Sequence, residues 1–231
     1  MSQPTLYGIS YSPWSERARW ALDHHGIEYR ARDYVAMLSE PLLRLRTRAF
    51  TGKMTAPVLL TADGVIRDSV EIARWADRQG RSVPLFPAGH EAAVDGWIER
   101  SNRLLEAGRA LSTQRTRADE EALASMVPAP KKLRKRLLFV GKLGALYLAR
   151  KYDFEGLPRE QLLVSLRKEL DALRDGLDGK AHLIGDELSF ADISCACALQ
   201  FVEPVDDQWI KLGYHARRTM CSPAMAREYS D

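Results

Sequence analysis

Three short stretches in the first seventy residues carry groups suited to holding a small polar ligand and keeping part of it charged. Ser12 leads the run Pro13-Trp14-Ser15, just where the strand-like segment Thr5 to Ser10 breaks at Tyr11. Proline suits the first turn of a helix, where its missing N–H has no partner in any case. The Ser12 hydroxyl therefore stands at the positive end of a predicted helix, where it can donate to a ligand thiolate. Helix N-termini lower thiol pKa values from about 8.5 into the ~3.5–7.5 range. A shift of two units requires about 2.7 kcal/mol, which one charge-assisted hydrogen bond of ~1.5–3 kcal/mol supplies together with the dipole. The same residues also make an ordinary serine N-cap with proline behind it.

Ala56-Pro57 opens a second strand-like run, Met54 to Leu60. Proline entering a central strand is awkward unless its bond is cis or the strand starts there. A cis bond would turn the Ala56 backbone outward to pair with an extended peptide; an edge-strand proline is the plainer account. Asp68-Ser69 follows the hairpin signal around Ala62-Asp63-Gly64 and begins another helix. Its free N–H groups and the Ser69 hydroxyl suit a carboxylate, and Asp68 suits an ammonium. It too can be a simple cap.

The elements that must position these groups read as β-α-β, a crossover, then β-β-α. Helix one spans Pro13 to about His25, with Ala18, Ala21, Leu22 and His25 on one face and Gly26 as the stop. Glu28 to Val35 reads as a strand, and Leu38 to about Arg48 as a loosely patterned helix. The helix after Asp68 closes near Gly80, and residues 81–88, with two prolines, read as a linker. Beyond it the pattern is helical: Trp97, Ile98, Leu104 and Leu105 recur at helical spacing, as do Leu163, Leu166, Leu170, Leu173 and Leu177. Ser189-Phe190-Ala191-Asp192 resembles a capping box, ahead of Ile193, Cys197 and Phe201 on one helix face. The expected fold is α+β in two domains: a mixed α/β unit over 1–80 and an all-α helical bundle over 89–231.

Composition narrows the function. The 231 residues carry a net charge of +3, which is no nucleic-acid footprint, and no apolar run approaches the ~20 residues of a membrane span. The start, MSQPTLYGIS, lacks the layout of a secretory signal. Cys195, Cys197 and Cys221 form neither a CxxC pair nor a disulfide framework, which suits a reducing, cytoplasmic setting. Adjacent His24 and His25 diverge on a helix, and no partner lies at ligand spacing, so no metal site is expected. The basic run Lys131 to Arg136 reads as a solvated helix face, with a peripheral membrane or partner site as the alternative.

Taken together, the three stretches meet the demands of one ligand. Glutathione offers a thiol in the middle, a peptide backbone beside it and an α-amino acid at one end. Tyr11-Ser-Pro-Trp-Ser-Glu-Arg-Ala-Arg-Trp-Ala-Leu22, Lys53-Met-Thr-Ala-Pro57-Val-Leu and Asp68-Ser69 resemble the thioredoxin-like N-terminal domain of the glutathione transferase superfamily. The Pro-aromatic-x-Glu-Arg-x-Arg run is nearest to omega-like and related bacterial members, and the box at Ser189–Asp192 is similar to the family's cap in the helical domain. The resemblance implies that Ser12 stands at the catalytic position, with Tyr7, Tyr11 and Ser15 as fallback hydroxyls. It also implies that Lys53 meets the glycine carboxylate, Ala56 with Pro57 the cysteinyl backbone, and Asp68 with Ser69 the γ-glutamyl end.

The implied activity is conjugation of the glutathione thiolate to a small electrophile. A glutathione-binding scaffold of little turnover, or a glutathione-dependent reductase or isomerase, is the alternative. Omega-like enzymes carry Cys where this chain has Ser12, and a serine cannot form a mixed disulfide, so conjugation is favoured over thiol transfer. Trp14, Trp97, Arg103 and Tyr147 are candidates for the electrophile's wall, and a homodimer is the expected assembly.

Overall fold

The computed structural model describes residues 3–34, 39–47, 54–127, 129–151 and 157–230. Four short strands form one sheet: β1 (Thr5–Gly8), β2 (Arg30–Asp33), β3 (Val58–Thr61) and β4 (Gly64–Arg67). The spatial order is β2-β1-β3-β4. β2 lies parallel to β1, while β1–β3 and β3–β4 are antiparallel. Three helices interleave with the strands: α1 (Pro13–His24), α2 (Ser39–Thr47) and α3 (Ser69–Gln79). This is the thioredoxin-like arrangement expected from the sequence.

The two-residue side-chain period of a strand decides where each helix packs. Leu6 of β1 stands opposite Leu59 of β3, and both face a core shared with Ala18, Ala21 and Leu22 of α1 and Ile72, Ala73 and Ala76 of α3. Tyr7 and Val58, the next pair in register, turn the other way into a second core with Tyr34, Leu43 of α2 and Met54. The two-residue turn Ala62-Asp63 joins β3 to β4, with Gly64 at φ +143 where it begins the return strand. β2 is shorter than the expected Glu28–Val35. Its residues, Arg-Ala-Arg-Asp, are all exposed at the sheet edge, and charged side chains on an edge strand discourage pairing with another chain.

Eight further α-helices follow among the described residues: α4 (Glu91–Arg117), α5 (Glu120–Ser125), α6 (Lys131–Arg134), α7 (Leu138–Lys151), α8 (Arg159–Leu177), α9 (Phe190–Ala198), α10 (Tyr214–Met220) and α11 (Pro223–Glu228). A 3-10 turn, Leu199–Phe201, ends α9 earlier than the Ile193–Cys197–Phe201 stripe predicts. In α8 the buried stripe runs through Leu162 rather than Leu163, then Leu166, Glu169, Leu170 and Leu173.

The chain packs as two compact units: Met1–Ile98 with Lys180–Cys197, and Glu99–Gly179 with Ala198–Asp231. Residues 81–88 are packed into the first unit. Leu85 is fully buried and its carbonyl accepts from the Phe190 N–H at 2.8 Å. Phe86 stacks on Phe190 with Arg74 over its ring, and Asp77 accepts from the Leu85 N–H at 2.7 Å and from His25 Nε2 at 2.9 Å.

Candidate functional site

Ser12 is the N-cap residue of α1. Its backbone is extended (φ −79, ψ 124) and Pro13 follows in the first turn. The Ser12 carbonyl accepts from the Glu16 N–H at 2.9 Å, so it starts the helix through its backbone. Its hydroxyl makes no cap hydrogen bond, and the residue is half-buried at a helix end that favours negative charge.

The turn carrying Ser12 is fixed from two sides. Ser15 is buried and its Oγ accepts from the Ile9 N–H at 3.1 Å. Arg19 donates to the Ile9 carbonyl at 3.2 Å and the Ser10 carbonyl at 2.8 Å while pairing with Glu16. Ser15 thus has a structural partner, and Tyr7 is buried in the second core. Tyr11 lies exposed beside Ser12. The sequence run Glu16-Arg-Ala-Arg19 contained this clamp, but spacing alone does not show which carbonyls Arg19 reaches.

The Ala56–Pro57 bond is cis, immediately before β3. Ala56 is half-buried and Pro57 buried. Lys53, expected beside them, lies outside the described residues.

Asp68 is the N-cap of α3 and adopts φ 86, ψ 136. A non-glycine residue at positive φ costs on the order of 1–3 kcal/mol and persists where its surroundings enforce it, commonly at ligand sites. Its carboxylate accepts from the Val70 N–H at 2.8 Å, and the side chain is otherwise exposed. Ser69 is buried, and its hydroxyl has no hydrogen-bond partner. A buried hydroxyl without a partner is uncommon, because the lost hydration costs ~1–3 kcal/mol.

Register brings these turns together. Tyr7 is opposite Val58, and Val58 opposite Arg67. The β1 exit toward Ser12, the entry to β3 at Ala56-Pro57 and the β4 exit at Asp68-Ser69 therefore leave the same end of three adjacent strands.

Beneath this end lies a residue given no role by the sequence. Arg17 is fully buried and donates to the Ser194 carbonyl at 3.2 Å. Burial pulls its pKa down to about 10, opposed by Cys197, Cys195 and Asp68.

The four residues expected to face an electrophile fall in both units. Trp14 is half-buried on the first turn of α1, and Trp97 packs against the first unit's core. Arg103 donates to Glu169 at 2.6 and 3.3 Å, and Arg100 adds a third contact at 3.1 Å. The Glu169 side chain is only 2% exposed, so Arg103 has a structural duty that its position in the sequence did not reveal. Tyr147 is half-buried on α7. Among the described residues, no three His, Cys, Asp or Glu side chains are grouped as a metal ion would require.

Two family models match the chain: the glutathione S-transferase N-terminal domain over residues 11–79 and the glutathione S-transferase C-terminal domain over residues 156–218. No curated protein matches it in sequence. Among solved structures, glutathione transferase GSTFuA3 from Phanerochaete chrysosporium is 17% identical with a TM-score of 0.63, covering 100% of this chain and 91% of its own. A glutathione S-transferase from Methylobacillus flagellatus with glutathione bound is 18% identical (TM-score 0.59, 98% and 93% covered). A glutathione transferase homologue from Drosophila mojavensis, also with bound glutathione, is 20% identical (TM-score 0.57, 99% and 98% covered). The two family models together span more than half of the residues, and their domains fall on the mixed sheet and on the helices that follow it, so the chain belongs to the glutathione transferase superfamily.

Proposed function

We propose that this chain binds glutathione at the Ser12 end of its sheet and joins the glutathione sulfur to an electrophilic carbon of a small molecule. One observation carries the reading: the turns bearing Ser12, the cis Ala56–Pro57 bond and Asp68-Ser69 leave one end of three adjacent strands. Neighbouring strands lie ~4.8 Å apart, so the outer two of three are separated by about 10 Å. An extended tripeptide has about that reach. The glutathione held by two of the similar structures supports the same ligand.

In this reading Asp68 and the partnerless Ser69 hydroxyl receive the γ-glutamyl end, the Ala56 backbone pairs with the cysteinyl residue, with Pro57 behind it, and Lys53 meets the glycine carboxylate. The Ser12 hydroxyl donates to the sulfur, and the N-terminus of α1 favours its negative charge. The thiol proton passes to water. The sulfur lone pair then forms the S–C bond while the leaving group departs with its electrons. Of the candidates for meeting the electrophile, Trp14 and Trp97 belong to the unit that carries Ser12, and Arg103 and Tyr147 to the other, where Arg103 also serves Glu169. A homodimer in the cytoplasm completes the proposal; family membership supports the first, and three free thiols suit the second.

The test is turnover of a chloro-nitroaromatic electrophile, with glutathione affinity measured in parallel by calorimetry. Ser12→Ala is expected to keep glutathione binding within a few-fold and lose about 10²-fold in turnover, the usual scale for removing one donor from a developing or stabilised anion. Equal activity in the two proteins would remove Ser12 from the mechanism. Tight glutathione binding with turnover in neither would make the chain a binding scaffold.

A further inference from the structure

Helix α7 is built inside out for a helix on a solvated surface. Among its described side chains, the small residues Gly141, Ala145 and Ala149, spaced by four, are the buried ones. Gly141 packs against α5, so closely that a Cβ on it would lie 2.3 Å from the Leu123 carbonyl oxygen. Three larger apolar side chains of the helix are turned outward: Phe139 is 58% exposed and Leu143, one turn on, 60%, with Val140 beside them and Leu133 of α6 also exposed, while Leu138 and Leu146 are half-buried. Water is a poor solvent for such a stripe, and a helix that buries glycine and alanine while it turns Phe139, Val140 and Leu143 outward is shaped for an apolar surface outside the protein.

The charges around the stripe state what that surface must be. Between Glu121 and Asp153 the sequence holds eight Lys or Arg and no Asp or Glu. The whole chain is only +3, so the remainder is net acidic. Lys132, Lys135 and Arg136 stand exposed before α7, and Lys142 is exposed between Phe139 and Leu143. None of the four has an ion-pair partner among the described residues. From sequence this run reads as a solvated helix face, because the direction of the apolar side chains is not visible there. A second copy of the chain is a poor occupant, since a two-fold contact would set the same cations against each other. A nucleic acid would answer the cations but not Phe139, Val140 and Leu143.

We propose that α6 and α7 form a peripheral docking surface for an anionic lipid bilayer. Phe139, Val140, Leu143 and Leu133 enter the interfacial region, and Lys132, Lys135, Arg136 and Lys142 meet the headgroup phosphates. No helix among the described residues is long and apolar enough to cross a membrane, so the contact is one of surface association. It goes beyond the reading of Ser12 and is independent of it.

The test is co-sedimentation of the full chain, without glutathione, with phosphatidylcholine vesicles alone or containing about 30% phosphatidylglycerol. The expected result is partitioning about tenfold or more in favour of the anionic vesicles, lost on raising salt from about 0.1 M to about 0.5 M. Phe139→Ser/Leu143→Ser, which leaves every charge in place, should lower binding to anionic vesicles about fivefold or more. Should that variant fold poorly, Lys132→Glu/Lys135→Glu/Arg136→Glu, all at exposed positions, should abolish it. Equal binding to the two vesicle types, or anionic binding untouched by the apolar pair, overturns the proposal. It is also overturned if DNA or RNA oligonucleotides bind in place of vesicles. The same holds if the apolar pair converts a dimer to a monomer in sedimentation velocity while the wild type ignores vesicles.

Discussion

Taking a guanidinium out of water costs several kcal/mol unless its donors are met, and Arg17 is fully buried in the first unit with the Ser194 carbonyl at 3.2 Å. Its favourable neighbours include the Asp68 carboxylate and the thiol of Cys197. That thiol feels the opposite environment: burial pushes its pKa up to about 12 in spite of the Arg17 charge. Only thiolates react, so at pH 8 the reactive fraction of Cys197 is about 10⁻⁴, against roughly a tenth for a thiol at the ordinary pKa of 9.0. A chromogenic disulfide reagent at pH 8 should therefore label all 3 cysteines in denaturant but leave Cys197 unmodified in the native protein for hours. Rapid native labelling mapped to Cys197 would show that this corner is open. The sign for stability follows from the same values. Above the ordinary thiol pKa of 9.0 the unfolded chain has released a proton that folded Cys197 keeps, so folding weakens as pH rises.

Among the elements, α9 shows how a local signal and a tertiary role coincide. The Asp192 carboxylate accepts from the Ser189 N–H at 2.8 Å, the Ser189 hydroxyl at 2.6 Å and the Leu183 N–H at 2.7 Å. It closes the capping box and also ties down the preceding loop. Asp192→Ala leaves two N–H groups and a buried hydroxyl unmet, so a loss of about 2–4 kcal/mol is expected, read as a lower urea midpoint. A midpoint unchanged within error would mean that water replaces the carboxylate at little cost. This box was legible in the sequence because it is written in residues three apart. The same holds for Pro13 opening α1, for the Ala62-Asp63 turn before Gly64 and for the Asp68 cap of α3. What could not be read depends on partners far along the chain. Arg103 looks like a ligand-binding cation until Glu169, 66 residues away, is seen beneath it. Arg17 finds Ser194 across 177 residues. In α8 adjacent Leu162 and Leu163 both suit the apolar period, and Leu162 is the buried one, in a stripe that also takes in Glu169. β2 escaped precise bounds because an exposed edge strand has no buried face to impose alternation. At the candidate site, residue types and order were legible. The cis bond, the positive φ of Asp68 and the partnerless Ser69 hydroxyl required coordinates.

For the molecule as a whole, compactness and chain order disagree. The first unit takes Met1–Ile98 and then recruits Lys180–Cys197, while the second takes the residues between and after. The recruited segment is core rather than decoration: Ile184, Phe190, Ala191, Ile193 and Cys197 are buried with Leu6, Leu22, Leu59 and Ile72 in one cluster. Phe190 and Ile193 are fully buried, and each large apolar side chain contributes ~1.5–3 kcal/mol when removed from water. With Ile184 and Cys197, the segment supplies about 5–10 kcal/mol, comparable with the whole stability of a typical domain, ~5–15 kcal/mol. It also supplies the Ser194 carbonyl that Arg17 requires and the Phe190 N–H that satisfies the Leu85 carbonyl. A fragment of residues 1–98 contains every strand of the sheet and still lacks this support. It is expected to show no cooperative urea transition and to lose near-ultraviolet dichroism from its tryptophans, whereas the full chain keeps both. Adding a synthetic peptide of residues 180–198 should restore some of that signal in proportion to its concentration. A fragment 1–98 that unfolds cooperatively, with a midpoint close to that of the full chain, would show that the sheet and its three helices are self-sufficient and that the α9 segment is attached to a core already complete.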